Sequence, residues 1–261
     1  MKSRRKKESK RSEKRGIYLL PNLFTSASLF GGFFAIIAAI QGRYETAAIA
    51  ILISCLFDGL DGRIARLTHS TSLFGKEYDS LSDLVTFGVA PGILVFQWAL
   101  EPFGRLGWLA CFMYVICGAL RLARFNVQKN HVKTNFFKGL PIPAAACFIA
   151  SLILFITTLG GLPESRQLII IILVYVLSFL MVSSIRYLSF KEFGLKKQKP
   201  FNVLVGIILV FMVVAYKPTI MLFFILTIYI LSGPAITIYR LRKTRAIGGA
   251  LLEEMPTVEK E

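Results

Sequence analysis

The sequence predicts an all-α integral membrane protein of about eight transmembrane helices. Three observations carry that prediction. Of the 261 residues, 55% are hydrophobic and mean hydropathy is +0.62, more apolar than a water-soluble domain of this length. The apolar residues fall in blocks close to the length that crosses a bilayer core: 22–41, 44–66, 76–100, 106–126, 141–160, 167–188, 201–216 and 218–240. With an even number of spans, 27 of the 31 Lys and Arg residues fall on the side that holds both termini and 4 on the other. An excess of basic residues marks the cytoplasmic side, so both termini are expected there, with the protein in the cell's inner or cytoplasmic membrane.

The basic segment MKSRRKKESKRSEKRG reads as a solvated, mobile cytoplasmic arm (1–16) able to rest on anionic lipid. The net charge of +16 is therefore assigned to membrane orientation, with no nucleic-acid partner expected. The apolar block that follows is too long for a cleaved signal peptide, and no small-residue cleavage site follows it. Span 1 is expected to start at Pro21, since proline is tolerated in a first helical turn. It carries Gly31, Gly32, Ala38 and Ala39, and span 2 carries Ala47, Ala48 and Ala50. Such small residues let helices approach closely. Spans 3 and 4 follow at 76–100 and 106–126; span 5 opens with Pro141 and Pro143 and continues through Ala144, Ala145 and Ala146. Span 6 ends near residue 188, span 7 is short, and its boundary with span 8 near Lys217 and Pro218 is indistinct.

The chain shows no soluble domain, and the lack of an internal repeat argues against a transporter built from inverted halves. Cys55, Cys111, Cys117 and Cys147 all fall inside spans without ligand spacing and read as small packing residues. His69 and His131 fall in cytoplasmic loops and read as solvated. There is no phosphate-binding Walker loop, dinucleotide fingerprint or nucleophile elbow.

The stretch DGLDGRIARLTHSTSLFGKEYDSLSDLVTFG, residues 58–88, holds every aspartate of the chain: Asp58, Asp61, Asp79 and Asp83. Asp58 and Asp61 lie three residues apart near the cytoplasmic end of span 2, and Asp79 and Asp83 four apart near the start of span 3. Each pair therefore shares one helix face. Asp83 is expected about 10 Å below the cytoplasmic surface. Aspartate is too short to snorkel that far, and a carboxylate inside a span costs several kcal/mol unless paired or metal-bound. Four converging carboxylates without a nearby histidine or thiolate make an all-oxygen site, suited to hard divalent cations such as Mg²⁺ or Mn²⁺. Gly59, Gly62 and Gly75 leave room for a ligand, and Arg66 offers a planar donor fork to phosphate. One carboxylate could remain to accept a proton from a hydroxyl.

The pattern D-x-x-D-G-x-x-A-R, eight residues, then G-x-x-x-D-x-x-x-D, running from Asp58 to Asp83, resembles the signature of the CDP-alcohol phosphatidyltransferases without departure. The resemblance implies an enzyme that exchanges the CMP of a CDP-linked lipid for the hydroxyl of a small polar alcohol. It implies a six-helix catalytic core (17–190), two additional transmembrane helices (191–240), a cytoplasmic tail (241–261) and a homodimer. It further implies that Asp58, Asp61, Asp79 and Asp83 bind two divalent cations, with Asp83 also the general base. Asp58, Asp61, Gly62, Ala65, Arg66, Gly75 and Asp79 would contact the CDP moiety. LPNLFTSASLFGG, SDLVTFGVAPG, RLARFN, GLPIPAAA and RYLSF resemble the bacterial and archaeal branch that uses serine. CDP-diacylglycerol and L-serine are then the expected substrates, with phosphatidylserine and CMP as products. Arg121, Arg124, Lys138 and Arg186, at cytoplasmic span ends, are candidates for the serine carboxylate or phosphate, and Asn22 and Thr25 for nucleotide contacts. The alternative is a sibling enzyme using inositol, glycerol phosphate or choline, or an archaeal-type lipid donor.

Overall fold

Helix α1 (Lys2–Ile40) takes the basic arm and the first apolar block into one continuous helix. The computed structural model describes residues 2–68, 72–128, 137–161, 167–187 and 217–253. Pro21 thus lies inside a helix, which corrects the expectation that it starts one. The basic residues before it, though polar, are good helix formers and extend the helix.

α1 ends in a tight turn. Gly42 has φ of 74°, and the Arg43 amide donates to the Ala38 carbonyl at 2.9 Å. A left-handed glycine with a six-to-one bond is the usual way to stop a helix and reverse the chain. α2 (Tyr44–Leu67) therefore runs back along α1. The seam is made of small residues: Ala35, Ala38, Ala39, Ala47 and Ala48 are wholly buried. A methyl group placed on Gly31 would lie 2.2 Å from Ser54 Oγ, and one on Gly32 2.7 Å from Thr86 Cα. The small residues noted in the sequence are what the backbones need to meet.

The third span begins earlier than expected, at Leu73, because Ser72 caps it by accepting the Gly75 amide at 2.9 Å. It comprises α3 (Leu73–Asp83), a π-helical stretch (Leu84–Val89), α4 (Ala90–Val95), a second π-helical stretch (Phe96–Leu100) and a 3₁₀ turn (Glu101–Phe103). Pro91 explains part of this irregularity. It has no amide hydrogen to offer the Phe87 carbonyl, which instead accepts the hydroxyl of the fully buried Tyr114 at 3.1 Å. Tyr114 belongs to α5 (Arg105–Gln128).

α6 (Ile142–Thr158) sits at the centre of the bundle, with Ala145 to Leu154 buried without interruption. Pro141 and Pro143 stand at its N-terminus, as expected. α7 (Gln167–Val182) follows. A two-residue antiparallel bridge, β1 (Phe137–Lys138) with β2 (Arg186–Tyr187), ties the approach to α6 to the exit from α7. It is the only strand pairing among the described residues and a small exception to the all-helical expectation.

The last helix, α8 (Pro218–Glu253), packs on α6 through stacked rings. Phe223 lies 4.5 Å from Phe155 and 5.6 Å from Phe148, centroid to centroid. Pro234 lies inside α8, which runs through it unbroken, and like Pro91 it has no amide hydrogen to offer the carbonyl four residues back. The Ile230 carbonyl, four residues before it, accepts the hydroxyl of buried Tyr187 at 3.3 Å.

Four of these helices are long and apolar enough to cross a membrane: Leu20–Ile40, Leu73–Phe103, Arg105–Val127 and Pro218–Thr237. α6 and α7 are apolar but shorter than the sequence blocks, at 17 and 16 residues. Large apolar side chains such as Phe30, Leu56, Phe112 and Phe179 point outward while small ones fill the seams. Without a hydrophobic drive between helices in lipid, that inverted distribution is expected. The block 201–216 lies outside the described residues, as do His69 and His131.

Candidate metal and phosphate site

The α1–α2 hairpin and the start of the third span enclose the aspartates. α2 presents Asp58 and Asp61 one turn apart, and α3 presents Asp79 and Asp83 one turn apart. Because α3 starts at Leu73, Asp83 stands ten residues into it, about 15 Å along the axis. Oxygen atoms of Asp58, Asp61 and Asp79 all lie within 4.8 Å of one another. Asp83 falls outside that trio and faces Asp58 at hydrogen-bonding range. Two carboxyl groups that close need a proton or a cation between them.

α1 supports this cluster from behind. The hydroxyl of buried Thr25 lies 2.7 Å from Asp61 Oδ2 and 3.1 Å from the Pro21 carbonyl, four residues back. The Gly62 amide also donates to Asp61. Ser82 donates to the Thr25 carbonyl at 3.2 Å, so α3 is tied to the same turn of α1. Ser26 and Tyr78 exchange a 2.8 Å hydrogen bond. The Asn22 side chain lies beside Gly75, where an added methyl group would sit 3.3 Å from Asn22 Oδ1. Sequence reasoning placed Asn22 and Thr25 near the site as nucleotide contacts. In the structure Thr25 instead engages a carboxylate, and Ser26, Tyr78 and Ser82 join it unanticipated. Their signal was absent because each bond joins helices more than fifty residues apart in the chain.

The opposite side is open. Methyl groups added to Gly59 or Gly62 would meet nothing within 4 Å, and Arg66 is exposed at the last turn of α2 beyond half-buried Ala65. Three converging carboxylates under an open, glycine-lined face fit a hard divalent cation with oxygen ligands and room for a phosphate.

The basic candidates separate. Arg121 is 9% exposed, and its Nε has no hydrogen-bond partner. The Asp83 and Tyr229 side chains act on it electrostatically. Arg124 Nη1 donates to the Val182 carbonyl at 3.2 Å, binding the end of α7. Lys138 and Arg186 stand opposite each other in the β1–β2 bridge, and their side chains lie outside the described set.

The sequence profile described as CDP-alcohol phosphatidyltransferase matches residues 18–182. A CDP-diacylglycerol–serine O-phosphatidyltransferase of Helicobacter pylori is 42% identical over 176 residues, 67% of this chain and 74% of that one. An archaetidylserine synthase of Methanothermobacter thermautotrophicus is 42% identical over 170 residues, 64% of this chain and 69% of that one. A CDP-diacylglycerol–serine O-phosphatidyltransferase of Bacillus subtilis is 35% identical over 180 residues, 66% of this chain and 92% of that one. The matched segment runs from the α1 turn that holds Asp61 to the end of α7 and contains all four aspartates, so the chain belongs to the CDP-alcohol phosphatidyltransferase family.

Proposed function

We propose that this protein transfers the phosphatidyl group of CDP-diacylglycerol to the hydroxyl of L-serine, giving phosphatidylserine and CMP. The observation that carries the reading is the convergence of Asp58, Asp61 and Asp79 within 4.8 Å, in a chain whose relatives are named for serine transfer. The archaetidylserine synthase differs from the others in the lipid it is named for but agrees on serine, so the acceptor is the better supported half.

Asp58, Asp61 and Asp79 would hold the divalent cations, Mg²⁺ or Mn²⁺ and two in number by family resemblance, which neutralise and orient a pyrophosphate. Thr25 and the Gly62 amide fix the Asp61 carboxylate. The open face at Gly59 and Gly62 takes the CDP moiety against α2, with Ala65 and Gly75 leaving space and Arg66 donating to phosphate. Asp83 takes the proton from the serine hydroxyl as its oxygen forms a bond to the lipid-side phosphorus. The bond from that phosphorus to CMP breaks, and the lipid product keeps its acyl chains in the bilayer. Buried Arg121, within electrostatic reach of Asp83, offers its guanidinium to the serine carboxylate.

The wider assignment follows the same reading. Residues 17–190 form the catalytic core, 201–216 and α8 are the seventh and eighth spans, and the protein works as a homodimer with the site and both termini facing the cytoplasm. The test is an acceptor panel: purified protein, CDP-diacylglycerol and Mn²⁺ or Mg²⁺, with labelled L-serine, inositol, glycerol phosphate or choline. Label is expected in lipid from serine, with one CMP per product. Incorporation from another alcohol instead would overturn the reading.

A further inference from the structure

Asn126 closes the segment RLARFN near the C-terminal end of α5 and takes no part in the reaction described above. It is half-buried, and its Nδ2 donates to Ser80 Oγ at 2.8 Å. Ser80 lies in α3 between Asp79 and Asp83. Its hydroxyl gives its one proton to the Lys76 carbonyl, one turn back, at 3.0 Å. The Ser80 oxygen can then only accept from its partner, a role that a side-chain amide can fill and a carboxylate cannot. α1 holds the same helix elsewhere. Ser82 donates to the Thr25 carbonyl at 3.2 Å, and Ser26 and Tyr78 share a 2.8 Å hydrogen bond. At about 100° per residue, Ser82 stands about 40° from Tyr78 on the circumference of α3, Asp79 and Asp83 at about 100° and 140°, and Ser80 at about 200°.

Hydrogen bonds from α1 and α5 thus hold α3 on both sides of the arc that carries Asp79 and Asp83, and a two-sided hold stops a helix turning about its axis. We propose that Asn126 is a positioning residue that, through Ser80, fixes the rotation of α3 and so the directions in which Asp79 meets the cation and Asp83 the acceptor hydroxyl. The inference rests on the reading of these aspartates as cation ligand and proton acceptor. Side chains reach about 5–6 Å from a helix axis, so a turn of about 20° carries a carboxylate about 2 Å. Misplacement by about 1 Å costs on the order of 100-fold in rate. Arg124, two residues before Asn126, donates to the Val182 carbonyl at 3.2 Å, so the end of α5 is itself anchored on α7. Asn126 therefore holds α3 from a fixed base.

The test uses the full-length protein in detergent as wild type, Asn126→Ala, Ser80→Ala, the double variant and Ser80→Thr. Mn²⁺ binding in the absence of substrates is read from the loss of the free-ion electron paramagnetic resonance signal. Turnover is read as kcat at saturating CDP-diacylglycerol, serine and Mn²⁺. Asn126→Ala and Ser80→Ala are each expected to raise the Kd for Mn²⁺ about tenfold, and to lower kcat about tenfold even at saturating metal, since Asp79 and Asp83 move together. The double variant is expected to stay within about twofold of the more affected single variant, because both act through one bond. Ser80→Thr keeps the hydroxyl and is expected to bind Mn²⁺ within about twofold of wild type. Melting temperatures check that the variants fold. A Kd for Mn²⁺ unchanged in both single variants, whether or not they melt earlier, would overturn the proposal, as would effects that multiply in the double variant. Wild-type protein that binds no Mn²⁺ would instead overturn the reading of the aspartates as cation ligands, so the two failures are separable.

Discussion

Asp83 shows how position separates chemically identical side chains. Three aspartates share one small volume, while Asp83 lies against Asp58 and within electrostatic reach of Arg121. Under the proposed mechanism it is the carboxylate left to accept the hydroxyl proton. Asp83→Asn is expected to lower turnover by about 100-fold or more. The assay is CMP release at saturating CDP-diacylglycerol and serine, and near wild-type turnover would remove the general-base role. Thr25 acts one step further back. Its hydroxyl holds Asp61 at 2.7 Å from α1, so Thr25→Val keeps the shape and removes the hydrogen bond. The Mn²⁺ concentration for half-maximal activity is expected to rise about tenfold, with most activity recovered at saturating metal. A metal titration of wild type and variant checks this, and overlapping curves would count against it. The four aspartates were legible in the sequence because their spacing, read with a period of 3.6, leaves few other arrangements. Thr25 was only half legible: its proximity followed from span 1 lying beside span 2, but its partner depended on the crossing of two helices.

At the scale of elements, the third span shows what periodicity cannot report. Its apolar block was plain, yet two π-helical stretches break its ladder. Pro91 signals one orphan carbonyl, but the group that satisfies it, the Tyr114 hydroxyl, comes from another helix. Tyr187 does the same for Pro234, 47 positions away. In lipid no water can replace such a bond, so the tyrosine is what makes an interior proline tolerable. Tyr114→Phe is expected to destabilise the protein by about 1–2 kcal/mol, since it strands a buried carbonyl. A lower melting temperature in detergent is the readout; an unchanged one would mean the Phe87 carbonyl finds another donor. Gly32 tests the seam. Its missing methyl group would lie 2.7 Å from the Thr86 backbone, so α1 and the third span must separate to admit it. Gly32→Ala is expected to cost about 1–3 kcal/mol and to reduce activity as well, because the same two helices carry Thr25 and Ser82.

At the scale of the whole molecule, charge and burial answer different questions. In the proposed topology the uneven distribution of Lys and Arg orients the bundle, but it also conceals Arg121. In the sequence Arg121 resembles any other anchor at a cytoplasmic span end. In the fold it is buried within electrostatic reach of Asp83, while Arg124, one turn on, holds the end of α7. Only packing separates the two. The orientation itself yields a test independent of activity. The four native cysteines fall inside α2, α5 and α6 and can be replaced by serine or alanine to give a background without thiols. In that background, cysteine at Gln41, in the turn between α1 and α2, should react from outside intact cells with a membrane-impermeant maleimide. Cysteine at Glu253, the last residue of α8, should react only after the membrane is permeabilised. Both sites share one chain, so expression and reagent quality cancel in the comparison. Labelling of Glu253→Cys from outside would invert the topology. It would also put the aspartates on the face away from cytosolic serine, and the proposed reaction could not then draw on that pool.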